Sequence, residues 1–201
     1  MKIAPILFIL FFLVIPVYGF ADCSKNGTTV VYINGIFGDI NSAKADKNNL
    51  EKQYKAKVKN QDVDFINGYN ESHAWGIDDV ISSAIQMYAK SAEDHDFVDI
   101  LNQVHGDLKT QKILLLGYSQ GSFYSNAIYD YLVKNGVDKN SIAVYNVATP
   151  ADRVAGPEGH PGKYLTSSTD RVVGGVVSGL AKVGAGKPLP ANITLAIQKD
   201  E

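Results

Sequence analysis

The sequence predicts an α/β fold, a mainly parallel sheet with helices on both faces. Two observations carry this. Short β-branched or aliphatic runs alternate along the chain with longer segments of helical periodicity, as strands joined by crossover helices require. The strand-like runs are also apolar nearly throughout, the pattern of strands covered on both faces, whereas a half-solvated sheet would show alternation. Composition agrees: 201 residues with 45% hydrophobic and 20% charged side chains are those of an ordinary globular chain of about one domain.

The first stretch stands apart from that fold. Met1 and Lys2 lead into an apolar run over 3–17 broken by Pro5 and Pro16, then Gly19-Phe20-Ala21 and the polar Asp22. A basic start, an apolar middle and small residues before a cut are the parts of a secretory signal peptide, with cleavage expected after Ala21. An uncleaved span is disfavoured because the run falls short of the roughly 20 residues a crossing helix needs. Lipidation at Cys23 is disfavoured by Asp22 before it. The expected organisation is a leader over 1–21 and one domain over 22–201, exported to the periplasm or medium with no stable membrane span after cleavage.

The first strand is expected over 28–33 (Thr-Thr-Val-Val-Tyr-Ile) and a helix over 42–57 with Ala43, Leu50 and Tyr54 inward. A second strand follows at 63–66. Ile77, Val80, Ile81, Ala84, Ile85 and Tyr88 recur at helical spacing, and Phe97, Ile100, Leu101, Val104 and Leu108 do so again. The third strand is 112–116, followed by a helix over 122–134 that Asn135-Gly136 closes. A fourth strand lies at 142–147, with a fifth and sixth expected at 163–166 and 192–197. The glycine-rich stretch 174–186 is no phosphate loop, because Pro188 follows Lys187 where Ser or Thr is required and Ala181 stands at the first glycine position.

The informative motif ends the third strand. Leu114-Leu115-Leu116 runs into Gly117-Tyr118-Ser119-Gln120-Gly121, and a helix follows. Strand, G-x-S-x-G and helix together are the context of a nucleophile elbow: Gly117 and Gly121 let strand and helix approach closely while Ser119 is held on a tight turn. The plain alternative is that Ser119 caps the helix. A serine nucleophile needs donors for the oxyanion. The backbone N–H of Gln120 is one, and the Ile36 N–H, in the loop Asn34-Gly35-Ile36-Phe37-Gly38 after the first strand, is the other expected donor. An ordinary turn is the competing reading of that loop, with Asn34 stabilising it.

With these residues the chain resembles the α/β-hydrolase superfamily over nearly the whole of 22–201. Asn34-Gly35 falls where that superfamily often has His-Gly, and Leu165 to Val172 resembles the strand-end segment that carries the acid. Gly-Tyr-Ser-Gln-Gly also matches the elbow of cutinases, small secreted esterases. Cutinases typically carry disulfides, which a chain with Cys23 alone does not form internally, so the resemblance is to the superfamily. It implies an acyl-enzyme on Ser119 and a chain order of Ser, acid, His. Asp170 fits the acid, able to orient an imidazole and stabilise its cation; Asp152 is a second candidate.

The histidine departs from the pattern: His73, His95, His105 and His160 all precede Asp170. His95 reads as a helix start, His105 as a helix end and His73 as part of a turn-rich loop. His160, ten residues before Asp170, is the best internal substitute for the base. The competing expectation is truncation, the family's histidine loop falling beyond Glu201 and the C-terminal end of the fold missing.

Other chemistries are excluded or disfavoured. Nineteen Lys and Arg against 21 Asp and Glu give a charge of −2, which offers nucleic acid no basic field. Four scattered histidines and one cysteine make no metal-ligand pattern, and no dinucleotide fingerprint follows a strand, so no metal or cofactor is expected. Asn-x-Ser/Thr occurs at Asn26, Asn70 and Asn192. The expected function is an exported serine hydrolase acting on small-molecule or lipid esters, with Ile36, Phe37 and Trp75 leaning toward a lipophilic acyl group. The alternative is a catalytically silent hydrolase-fold protein serving as a secreted binding module.

Overall fold

A computed structural model describes residues 24–35, 38–58, 61–71, 95–108, 110–170, 173–174 and 188–195. The expected leader and Cys23, Ile36, Phe37, His73, Trp75, the helix expected over 77–88 and most of the glycine-rich stretch lie outside these residues. Five strands, β1 (Ser24–Ile33), β2 (Val63–Gly68), β3 (Thr110–Tyr118), β4 (Ile142–Val147) and β5 (Lys163–Leu165), pair in parallel throughout, in the order β2-β1-β3-β4-β5. This is an α/β sheet.

Helix α1 (Ile40–Lys57) starts two residues before the hydrophobic pattern because Asp39 caps it, its carboxylate accepting from the N–H groups of Asn41 and Ser42 at 2.8 and 2.7 Å. Two further helices are α2 (His95–Asp107) and α3 (Gly121–Lys134). Gly136, at φ +92°, ends α3: its N–H reaches Val133 O, and that of Val137 reaches Leu132 O, which satisfies the last carbonyls.

Side chains alternate across each strand, so the helices divide between two faces. Val31, Ile33, Ile113, Leu115, Ile142 and Val144 point to one face, into a core shared with Ile100 and Val104 of α2 and Tyr124 and Ile128 of α3. On the opposite face Tyr32 and Phe65 meet α1, through the Tyr32 hydroxyl on Asp46 (3.3 Å) and the rings of Tyr54 and Phe65, 5.6 Å apart. Burial, and then the Asp46 carboxylate beside it, hold the Tyr32 phenol far above its ordinary pKa, so it remains a donor. No helix among the described residues is long and apolar enough to cross a membrane.

Two elements differ from expectation. The connection from β4 to β5 carries no helix, because Pro150, Gly156, Pro157, Gly159, Pro161 and Gly162 interrupt it. Of the sixth strand expected over 192–197, the described residues, which end at 195, show a single parallel bridge between Ser167 and Ile193. The side chain of Asn192 takes the edge groups a sixth strand would have paired, accepting from Thr166 N–H and donating to Tyr164 O, both at 2.8 Å.

Strand order creates the site. From β1 the chain moves outward to β2, crosses back over β1 to β3, and continues through β4 to β5. The direction reverses between β1 and β3, and the crevice at the carboxyl ends of those two strands is where open parallel sheets take ligands. The same order serves doubly wound sheets of other functions, so order alone assigns no chemistry.

Candidate active site

Ser119 lies at that crevice, one residue past the end of β3. Its backbone is left-handed, at φ +52°, a conformation that costs a non-glycine residue about 1–2 kcal/mol and is kept where its surroundings impose it. Here they do. The Ser119 N–H donates to Val147 O at 2.8 Å, and its carbonyl accepts from the Ser122 N–H at 3.0 Å. The backbone therefore serves the helix, and among the described residues the Ser119 hydroxyl caps no N–H.

Three glycines make the turn possible through close approach. A Cβ on Gly121 would stand 2.3 Å from Ile33 O, and one on Gly117 would stand 2.6 Å from Gly121 O and 2.7 Å from Ser122 Cα. A Cβ on Gly35, in the loop after β1, would lie 2.9 Å from Ser119 Cβ and 3.4 Å from its Oγ. The β1 loop is thus stacked directly against the serine, and side chains at any of the three positions would force strand, loop and helix apart.

The other half of the site is the start of α3. Its cap residue Gln120 has helical backbone angles and no side-chain cap bond, and no acidic residue occupies the first turn. The N–H groups of Ser122 and Phe123 bond Ser119 O and Gln120 O, each at 3.0 Å, and the positive end of the helix dipole faces the crevice. The Gln120 side chain is fully buried and turned inward, its Oε1 accepting from Asn70 Nδ2 at 2.9 Å. Asn34, 3% exposed, donates to Gly35 O at 2.9 Å and to Asn70 O at 3.1 Å, and accepts from the Asn70 N–H at 2.8 Å. Three buried amides therefore join the ends of β1, β2 and β3. Sequence reasoning gave Asn34 only a loop role and saw in Asn70 only a glycosylation pattern; Asn70 is 1% exposed.

On the far side, Ser125 Oγ stands 2.7 Å from Asn146 Oδ1 and 2.9 Å from Ser122 O, while Asn146 Nδ2 and Ser122 Oγ are buried with no hydrogen-bond partner among the described residues. Each such group costs about 1–3 kcal/mol.

Asp170 lies beyond β5 on the edge that also holds Ser119, since Leu165 pairs with Val147 and Val147 with Tyr118. Its Oδ1 accepts from the Val173 N–H at 3.0 Å, and its side chain lines a cavity of 390 Å³ with Thr166, Val173 and Leu189. Asp152 is half-buried in the loop after β4. That loop starts at Ala148, the other left-handed non-glycine residue among those described, at φ +51°.

His160 lies in the loop that leads into β5. It is exposed, three residues before β5 begins, and lines a groove of 320 Å³ with Leu114, Val144 and Ala155. Leu114 precedes Ser119 by five residues, about 16 Å along a strand at roughly 3.3 Å per residue. β5 is only three residues long, and its first residue Lys163 pairs with Tyr145, which pairs with Leu116. His95 opens α2 and His105 lies in its last turn, as expected. Among the described residues no histidine is hydrogen-bonded to Ser119. A comparison with known protein families finds no matching model, and no curated protein sequence matches the chain.

Proposed function

We propose that this chain is an exported serine hydrolase of the α/β-hydrolase type that cleaves carboxylic esters through an acyl-enzyme on Ser119. One observation carries the reading: a serine on a left-handed strand-to-helix turn, pressed between Gly35 and the start of α3, at the crevice where strand order reverses. Such a backbone is maintained against its own strain, and a hydroxyl that caps nothing is the group it presents.

In this reading Ser119 Oγ attacks the ester carbonyl as its proton passes to a base. Charge on the carbonyl oxygen is met by the Gln120 N–H and by a second donor, the Ile36 N–H, from the loop that Gly35 begins. Collapse of the tetrahedral intermediate expels the alcohol, and water then releases the acid. Asp170 is the orienting carboxylate for an imidazole, supported by its position on the same edge. The base is a histidine, for which His160 is the weaker candidate. A lipophilic acyl group is the proposed substrate preference.

A second reading, a silent binding module on the same fold, is favoured by the absence of a histidine bonded to Ser119 among the described residues. A fluorophosphonate probe and a short-chain nitrophenyl ester separate the two. Wild type is expected to be labelled at Ser119, Ser119→Ala to lose both labelling and about 10⁶ in turnover, and His160→Ala to match wild type. Folded wild type that resists the probe assigns the binding module.

A further inference from the structure

The segment that leaves β2 is gripped on both sides by side-chain amides. Gln103 of α2 accepts the Tyr69 N–H at 2.9 Å and donates to Tyr69 O at 3.3 Å. Asn34 does the same to the next residue, accepting the Asn70 N–H at 2.8 Å and donating to Asn70 O at 3.1 Å. In extended chain, successive residues offer their N–H and C=O to opposite sides. Each amide therefore replaces one residue of a neighbouring strand, and β2 is prolonged past Gly68 with no strand beside it. What this fixes is Asn70, whose Nδ2 donates to the buried Oε1 of Gln120. Apolar side chains would fill the same space without the desolvation cost of buried amides, but they exert no directional hold.

We infer that Asn70, set by Asn34 and Gln103, is a positioning residue: it anchors the Gln120 side chain so that the Gln120 N–H stays aimed at the developing oxyanion. This rests on Ser119 being the nucleophile. None of the three amides touches the reacting atoms. Their contribution is geometric, and a shift of about 1 Å in such a site costs on the order of 10²-fold.

Asn70→Asp tests it, because Asp has the same shape, retains an acceptor and loses the N–H toward Gln120. Expected are kcat for a nitrophenyl ester and the rate of Ser119 phosphonylation each about 10- to 100-fold lower, with KM within about 2-fold, since the lost interaction belongs to the transition state. The ratio of variant to wild-type rate should climb as pH falls, because burial at position 70, 1% exposed, favours the protonated form of the new carboxyl. Once protonated it can again donate to Gln120. A folded variant labelled within about 2-fold of wild type at every pH, or one raised in KM with kcat intact, overturns the inference while Ser119 stands. Wild type that is not labelled at all removes the nucleophile, and the inference with it. Should Asn70→Asp not fold, Gln103→Ala carries the test from outside the elbow, with labelling about 3- to 10-fold slower expected and an unchanged rate overturning the inference.

Discussion

Gly35→Ala is the sharpest test of how closely the β1 loop is packed on Ser119. A methyl group there would stand 2.9 Å from Ser119 Cβ and 3.2 Å from Tyr118 O. Non-bonded carbons rest at about 3.5–4.0 Å, so loop and serine must separate by about 0.6–1 Å. Two consequences differ in size. Overpacking of this kind costs about 1–3 kcal/mol, which lowers Tm by about 2–12 °C in a domain of this length. The same displacement falls on the proposed nucleophile, where about 1 Å is worth on the order of 10²-fold in rate. Gly35→Ala should therefore remain folded while Ser119 phosphonylation slows by about two orders of magnitude. The control is Gly136→Ala, whose Cβ meets nothing within 4 Å and whose only penalty is φ +92°; it should lose about 1–2 kcal/mol and no reactivity. Measured are thermal melts by circular dichroism and labelling rates on the same samples. If Gly35→Ala is labelled as fast as wild type, the loop does not bear on the serine and the reasoning fails.

Gly121→Ala should be the more damaging to stability, because its Cβ would meet the backbone atoms Ile33 O at 2.3 Å and Asn34 O at 2.8 Å, neither able to rotate away. A loss of about 3 kcal/mol or more is expected, seen as a Tm lower by about 6–12 °C, and a melt within about 2 °C of wild type would contradict the packing. Asp39 gives a pH test. The Ser42 and Asn41 N–H groups hold its carboxyl below its ordinary value of 3.8, so its stabilisation is complete above that value and disappears as pH falls through the depressed one. Asp39→Asn should melt below wild type at about pH 7, with the gap closing as pH falls below the ordinary carboxylate range; a constant gap would show that ionisation of Asp39 does not matter to α1.

What the sequence revealed was local. β4 at Ile142–Val147 has the expected bounds, since an apolar run between polar turns marks both its ends. The elbow was legible because strand, serine, two glycines and helix adjoin along the chain. The amide network was not, because its members are 36 and 50 residues apart and an asparagine after a strand looks like any turn residue. His160 was read correctly as a loop residue. The connection that holds it carries no helix, and so gives no periodicity from which to read where the loop lies. Over the described part of the sixth strand, the Asn192 side chain takes the Thr166 N–H and Tyr164 O, while the backbone of 192 and 193 bonds Thr166 O and Ser168 N–H.

The pairing of β1 with β3 bears on when the turn at Ser119 forms. These central strands are joined across 81 residues by the Thr29–Thr110 hydroxyl bond, with β2 and α2 in the intervening chain. Closing so long a loop is entropically slow, and non-local parallel pairing is rewarded only after that cost is met. A chain threading outward from its amino end must deliver β3 before Gly35 can press on Ser119. Until then the serine is an ordinary hydroxyl on a flexible strand end, without a left-handed backbone or an aimed N–H. The left-handed turn at Ser119 is thereby tied to completed folding, and under the proposed function an unfolded chain would carry only an unreactive alcohol.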